Sequence, residues 1–470
     1  MFRIIIVSLL LSLSTPVLCQ ETSKNLTLEE TVNLALKNNL DLKSSELNSK
    51  SEKVIFKQSL ADLLPQLNAS YNAGINNGRS IDPYSNAYVD QQLSFSNAGL
   101  SLNATVFNGF ELLNSLKRDR LKMKAAQAEV EEAKQDLILN VTLTFLQVLN
   151  DRDLVELAEA RQETTLKQVD RLQTLYKQGS GNPADYTDIK GQLAADKANV
   201  ITARNQYNTA ILKLQQLLNI DFKITPQALD ISEIPPKYQF SAAQVYQEAL
   251  QNLSTFKAKE LRIEAAKKDI GVSRALYIPD ISLFAQLNTN YSSAARFFTQ
   301  TGSQQVESGG FVTFNNQNFP VYVNQPEFKE GKISYNDQFS NNLNSVVGVE
   351  VSIPLLNGFR ARHEVQLKKI QFEEAKVDLE NTQSRFLESI KQAHSEMEAA
   401  YERYQVLNDQ VAAFQESYRV NEIRFTNGVS NIVEYIISKN NLERAQINLA
   451  NAKYEYLLRV KILEYYRGNS

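Results

Sequence analysis

From Glu111 to Gln178, and again from Arg360 to Asn427, the chain contains neither glycine nor proline. Runs of that length without the two helix-breaking residues restrict the possible folds more than any other feature of the sequence. At about 1.5 Å per residue, each run makes about 100 Å of helix if it is continuous. Val130, Ala133, Leu137 and Val141 step by three and four, as do Leu166, Val169, Leu172 and Leu175, which is the spacing of a coiled-coil-like seam. A rod that long has no compact core of its own. It must pack laterally against the return helices, 183–219 and 432–466, and against other subunits. The return helices are shorter than the runs, so helices starting at Thr27 and Ser241 are expected to stack end to end with them.

The breakers are concentrated where the runs stop. "YKQGSGNPADY" ends the first run at Gly179, a suitable left-handed C′ residue, then offers Gly181, the N-cap Asn182 and Pro183 at the first position of the next helix. "FTNGVSNIVEY" repeats the plan with Gly428, Ser430 and Asn431. Both stretches read as sharp helical reversals, or tips.

The two halves share more than their tips. Thr27 with Glu30, and Ser241 with Gln244, fit capping boxes 214 residues apart, and Pro65 and Pro279 keep the same offset. Asn108 and Asn357, Gly179 and Gly428, and Tyr186 and Tyr435 are each separated by 249. The excess of 35 falls in the second half, where a polar insert occupies about 291–340. The expected organisation is therefore a signal peptide over 1–20, a first repeat over 21–225, a linker over 226–240 and a second repeat over 241–470.

Between the helices the period changes from 3.6 to 2. Leu67, Ala69, Tyr71, Ala73 and Ile75 alternate with polar or small residues. The same holds for Ala98 to Val106, for Ile281 to Leu287 and for Val347 to Leu355. This predicts strands at about 65–76, 98–107, 279–290 and 346–356. Pro65 and Pro279 suit the change from helix to strand, and Gly109 and Gly358 of the two "NGF" motifs suit the return. The stretches 77–92 and 291–340 read as polar loops. The alternation fits both a soluble sheet and a membrane barrel with lipid outside and water inside. Four strands cannot close a barrel; three chains contributing four each would make twelve, so the strand count itself argues for an oligomer.

"MFRIIIVSLLLSLSTPVLCQ" has the layout of a secretory signal peptide, and its apolar run is too short to cross a bilayer. Cys19 is the only cysteine; a lipid-attachment signal prefers a small residue where Leu18 stands. Later in the chain no apolar stretch is long enough for a transmembrane helix. The formal charge of −3, from 50 basic and 53 acidic residues, shows no bias toward nucleic acid. With two histidines, His363 and His394, on one helical run, and no phosphate loop, metal cluster or nucleophile elbow, nothing points to an enzyme or a cofactor. A secreted coiled-coil scaffold or adhesin remains the rival reading, and it leaves the four alternating strands without a purpose.

"LTLEETVNLALKNNLDLKSSE", the strand start "PQLNASY", the strand exit "FNGF" and "RFTNGVSNIVEYIISKNNLERAQ" together resemble the outer-membrane efflux protein family of TolC-like ducts, over essentially the whole mature chain. The resemblance implies an α+β membrane protein: a homotrimer with a twelve-stranded β-barrel in outer-membrane lipid, continued by a long periplasmic α-helical barrel. It implies a passive exit duct whose tips meet a periplasmic adaptor and an inner-membrane pump of RND, ABC or MFS type. Gly179, Gly181, Asn182, Pro183, Gly428, Ser430 and Asn431 would then be docking candidates.

Asp185 and Glu434 are equivalent in the two repeats. Each would complete a capping box with the asparagine three residues before it, or would contribute to a ring of carboxylates at a narrow mouth. Glu434 matches an acid that lines the closed pore in the family, while Ile437 stands where a second acid is found. Ile437 is either an apolar constriction or a seam residue. Phe425 and Ser430 replace the tyrosine and arginine of the family's closing network, so that closing mechanism is not carried over. Tyr176 completes the gate candidates.

Overall fold

The computed structural model describes residues 24–82, 86–90, 92–227 and 236–468. The expected signal peptide, Cys19 and most of the expected linker lie outside them. In chain order the first half contains β1 (Lys24–Leu26), α1 (Leu28–Asn38), α2 (Leu40–Ala61), β2 (Gln66–Asn76), β3 (Arg79–Ile81), β4 (Tyr88–Asp90), β5 (Leu93–Asn108), α3 (Glu111–Lys177), α4 (Pro183–Leu218) and β6 (Ile224–Pro226). The second contains α5 (Ala242–Asn252), α6 (Ser254–Arg274), β7 (Asp280–Ser292), β8 (Arg296–Phe314), β9 (Gln317–Lys332), α7 (Tyr335–Asn341), β10 (Asn344–Ser352), α8 (Arg360–Thr426) and α9 (Ile432–Arg467). The long runs are unbroken: α3 and α8 have 67 residues each, and α4 and α9 have 36 each.

The chain divides into two compact units, and both halves of the sequence contribute to each. One unit is Met1–Glu52, Lys122–Arg262 and Glu374–Ser470; the other is Lys53–Leu121 and Ile263–Glu373.

The first unit is a helical bundle with three apolar clusters. In one, Leu26, Ala35 and Leu42 pack with Val141, Phe145 and Leu149 of α3 and Leu214 and Leu218 of α4. In another, Val245, Ala249 and Phe256 meet Ile390, Met397, Tyr456 and Leu463. The third lies at the tips. Both capping boxes form, Thr27 with Glu30 and Ser241 with Gln244. The helices they start are not single rods. Asn39 and Leu253 adopt extended backbone and divide α1 from α2 and α5 from α6. Asn39 accepts from the Leu42 N–H at 3.0 Å and donates to the Leu217 carbonyl at 3.0 Å; Asn252 donates to the Arg467 carbonyl at 2.7 Å. The asparagine amides thus satisfy orphan groups where α2 begins and where α4 and α9 end. It is the second segment of each pair, not the segment begun by the capping box, that starts beside the end of a return helix.

The second unit is built on one antiparallel sheet of order β10-β7-β5-β2. Its register aligns the apolar residues of neighbouring strands: Leu67 faces Leu102, Leu102 faces Ala285, and Ala285 faces Val347. Directly paired residues share a face, so one side carries Leu67, Tyr71, Leu100, Leu283, Leu287, Val349 and Val351, all exposed. The other side is mostly small or polar, its apolar members being Leu93, Val346, Phe95 against Gly74 and Phe284 against Gly348. β5 starts at Leu93, five residues before the expected point, because β2 supplies partners to Asn76. β10 stops at Ser352, short of the expected 356, because Pro354 offers no donor.

The reading of 77–92 and 291–340 as loops is corrected. Arg79–Ile81 pairs with Tyr88–Asp90. β8 and β9 form a long hairpin, turning at Asn315 and Asn316, both with positive φ. An Asn-Asn turn between valine- and phenylalanine-bearing strands is hairpin chemistry, but the Asn, Gln, Ser and Gly content hides the alternation. Among the described residues no helix is long and apolar enough to cross a membrane.

At the "NGF" motifs Gly109 has φ +63° and Phe110 φ +66°; Gly358 and Phe359 repeat this at +59° and +61°. A Cβ on Gly109 would lie 2.8 Å from that of Ile278, so this strand-to-helix turn needs glycine for space as well as for conformation. Pro65 lies just before β2, and Pro279 just before β7.

Candidate functional site at the helical tips

The first tip closes as a helix C-cap. Gly179 has φ +72°, and the Ser180 and Gly181 N–H groups donate to the Leu175 carbonyl at 3.1 and 3.0 Å. A Cβ on Gly181 would sit 2.7 Å from the Tyr176 backbone nitrogen. Asn182 accepts from the Ala184 N–H at 3.0 Å, and Pro183 occupies the first helical position. Tyr176 stacks on Tyr186, with centroids 5.7 Å apart.

The second tip repeats the backbone plan with different side chains. Gly428 has φ +72°, the Val429 N–H donates to the Arg424 carbonyl at 2.8 Å, and Asn431 accepts from the Glu434 N–H at 3.0 Å. Neither acid completes a capping box as expected. Asp185 instead accepts from the Asn182 amide at 3.1 Å, and Glu434 stands 3.8 Å from the Arg424 guanidinium. Each asparagine cap therefore works alone, and Glu434 is partly neutralised at an exposed position.

The tips share a core. Val169, Leu172, Ile189 and Leu193 pack with Phe425, Ile432 and Tyr435. Phe425 stacks on Tyr435 at 5.0 Å and is 8% exposed. The chain itself thus encloses this gate candidate. Ile437 is 54% exposed, so it lies outside any seam within the chain. It follows Val429 and Val433 along an exposed apolar stripe. Ser430 lies half-buried in the turn.

Two features were not read from the sequence. Arg171 of α3 donates to the Thr426 hydroxyl at 3.0 Å and to its carbonyl at 2.6 Å, satisfying the C-terminal end of α8, where a cation is favoured by the helix dipole. Behind the tips lies a buried charged cluster. Asp196, fully buried, meets Arg161 at 2.6 Å and Lys439 at 3.1 Å. Thr165 and Gln192 donate to its carboxylate, and Arg161 also pairs with Glu443. Two cations and two anions balance in the interior, as buried charges require. Burial depresses both the Lys439 ammonium and the Arg161 guanidinium, and Asp196 opposes this. A legible signal existed: Asp196 occupies a seam position between Leu193 and Val200, where an apolar residue is expected.

The chain is similar to known proteins along almost its whole length. The family profile described as outer membrane efflux protein matches residues 31–219 and 245–469. The outer membrane protein TolC of Escherichia coli (strain K12) is 24% identical over 382 residues, covering 80% of this chain and 70% of TolC. The outer membrane efflux protein BepC of Brucella suis biovar 1 is 22% identical over 448 residues, covering 95% and 86%. In fold, the chain resembles the CmeC outer membrane channel of Campylobacter jejuni, with a TM-score of 0.74, 16% identity and coverage of 94% and 85%. It likewise resembles the open state of the MtrE outer membrane channel of Neisseria gonorrhoeae, with a TM-score of 0.71, 16% identity and coverage of 94% and 88%. By the extent of the profile match, the chain belongs to the outer membrane efflux protein family, a family of the Gram-negative outer membrane.

Proposed function

We propose that this chain is the outer-membrane exit duct of a tripartite export machine and works as a homotrimer. The observation that carries this reading is the sheet. It has four strands, one continuous apolar face turned outward, and no strand paired beyond β10 or β2 among the described residues. An open edge cannot persist in lipid, where each unpaired backbone group costs several kcal/mol. Pairing β2 of one copy with β10 of the next, three times over, closes a twelve-stranded barrel with apolar residues on the lipid side. The duplicated arrangement of the chain, a first repeat over 21–225 and a second over 241–470, supplies two strands from each repeat.

The helices extend into the periplasm in this reading, and the tips at Gly179 and Gly428 are where a periplasmic adaptor and an inner-membrane pump engage. Glu434 and Ile437 are the residues proposed to face the narrow mouth, the first by charge and the second by its place on the exposed stripe. Asp185 and Tyr176 flank them on the other tip. Relatives include the efflux protein BepC and the alkaline protease secretion protein AprF of Pseudomonas aeruginosa. The common part of those roles is the duct, and the partner selects the cargo.

The test is current across a planar lipid bilayer after adding detergent-purified mature protein, alongside Glu434→Gln. Discrete conductance steps are expected, with lower cation preference in the variant. Protein that needs no detergent and never associates with bilayers would overturn the reading.

A further inference from the structure

The β8–β9 hairpin is the largest feature that the duct does not require. Its root is fixed. Gln338 of α7, 1% exposed, accepts from the Ser292 N–H at 2.9 Å and donates to the Ser292 and Ile333 carbonyls at 3.0 Å each. Tyr335 and Phe339 of α7 stack at 4.3 Å, and Tyr291 of β7 lies 4.9 Å from Tyr335. The hairpin is therefore a held projection rather than a loose loop.

Its two ends differ in chemistry. Five of the hairpin's six charges lie in its root half, namely Arg296, Glu327, Lys329, Glu330 and Lys332; the sixth, Glu307, pairs opposite Tyr322 and accepts from its hydroxyl at 3.0 Å. From Ser308 to Pro326 there is none. That outer part exposes Phe311, Val312, Phe314 and Phe319 around the Asn315–Asn316 turn, each more than half exposed. An exposed aromatic cluster of this kind marks a contact surface.

Strand addition is not the mode of contact. Pro320 and Pro326 lie in the β9 ladder, and register shifts interrupt it at Gln300/Gly302 and Glu307/Phe311 of β8. Prolines and bulges are the devices that guard a free edge against another strand. The edges are blunted while the aromatic end is left open.

We propose that the three hairpin ends of the trimer pack on one another through Phe311, Val312, Phe314 and Phe319, so that copies of this chain form a cap over the outer mouth. The inference rests on the trimeric duct reading. Two arguments select a second copy as the occupant. Identical surfaces brought together around a three-fold axis repel if they are charged, and this stretch carries no charge at all. Reach is also sufficient. The 19 residues of β8 span about 60 Å at about 3.3 Å per residue. A twelve-stranded barrel, with strands about 4.8 Å apart and tilted about 40°, has a radius of only about 12 Å. Tethering on one barrel makes the contact intramolecular in effect.

The test uses the detergent-purified full trimer carrying Phe314→Cys, with Thr299→Cys near the hairpin root as the control. Mild oxidation at high dilution is expected to link chains through position 314 and not through 299. The triple variant Phe311→Ser/Phe314→Ser/Phe319→Ser is expected to raise single-channel conductance at least twofold and to remove long closures. An intact trimer in which position 314 stays unlinked and reacts freely with maleimide would overturn the cap and leave the duct standing. Unchanged conductance in the triple variant would overturn it as well. Loss of the trimer band in the unaltered protein would overturn the duct reading and the cap together.

Discussion

The helical bundle and the sheet treat apolar residues in opposite ways. In the bundle Phe145, Ile189 and Tyr435 have no exposure, and the chain encloses them itself. In the sheet Leu67, Val347 and Val349 face outward at 67%, 81% and 60% exposure. One chain therefore meets two solvents. Burial of apolar surface stabilises by about 25 cal/mol per Å², and the sheet leaves that stabilisation to an apolar surrounding. Polar groups mirror the difference. The bundle's interior charges are balanced around Asp196, whereas the outward face of the sheet between Leu67 and Val351 carries none.

The sharpest break in this contrast is a charge on the sheet. Val349→Arg should cost about 2–4 kcal/mol per chain at mid-bilayer depth, and it acts in every copy of an oligomer. Heat-modifiable trimer in the outer-membrane fraction is expected to vanish, while the far-ultraviolet helical signal of the detergent-solubilised chain persists. Normal assembly would mean that this face does not meet lipid.

The opposite experiment costs a similar amount per chain, but its effect is confined to the tips. Tyr435→Ala removes the ring between Phe425 and Tyr418 and should cost about 3–5 kcal/mol. Hydrogen exchange is expected to accelerate in the tip hairpins and not in the strands. Acceleration spread evenly over both regions would erase the distinction between them.

Lys439→Met should be milder, at up to about 3 kcal/mol, because Asp196 keeps Arg161 when the lysine is lost. Thermal unfolding of the detergent-solubilised protein would report it. A more stable variant would show that desolvation of the ammonium outweighs its pairing.

The bundle also has an alkaline limit. Burial raises the phenols of Tyr418, Tyr435, Tyr454, Tyr465 and Tyr466 above their ordinary value. Groups raised in the folded state stabilise it fully below the unfolded value of about 10, and that stability is lost as pH rises past it. Lys439 and Arg161, both depressed by burial, act in the opposite sense, gaining stability as pH climbs toward their ordinary values, but they are two groups against five. Helicity is therefore expected to hold to about pH 10 and then fall together with phenolate absorbance. Phenolate appearing well below that point, with helicity intact, would contradict the burial.

The smallest effect belongs to Asn431→Ala, which removes one cap at about 1 kcal/mol. It should shift protection only in the first turn of α9.

Much of the architecture is legible because it is locally encoded. The 67-residue helices follow from the absence of breakers, the reversals from Gly179 and Gly428, and the β2 and β7 strands from a period of two. Local rules failed where the partner was distant. Nothing near Asn39 or Leu253 announces a break, since the groups that accept it belong to Leu217 and Arg467, far along the chain. The pairing of Asp196 with Arg161 and Lys439 depends on the register of three helices. The β8–β9 hairpin was missed because ladder hydrogen bonds, not apolar alternation, hold Asn- and Gln-rich strands together. The enclosure of Phe425 by Val169, Leu172 and Tyr435 depends on how α3, α8 and α9 pack.

The sequence by itself determined the long helices, their caps, their turns and the alternation of the strands, because each depends on residues within a few positions of one another. Only the tertiary structure decided that apolar residues point inward in one unit and outward in the other, and which distant charges meet. Those outcomes depend on strand pairing and helix register, which bring together residues hundreds of positions apart.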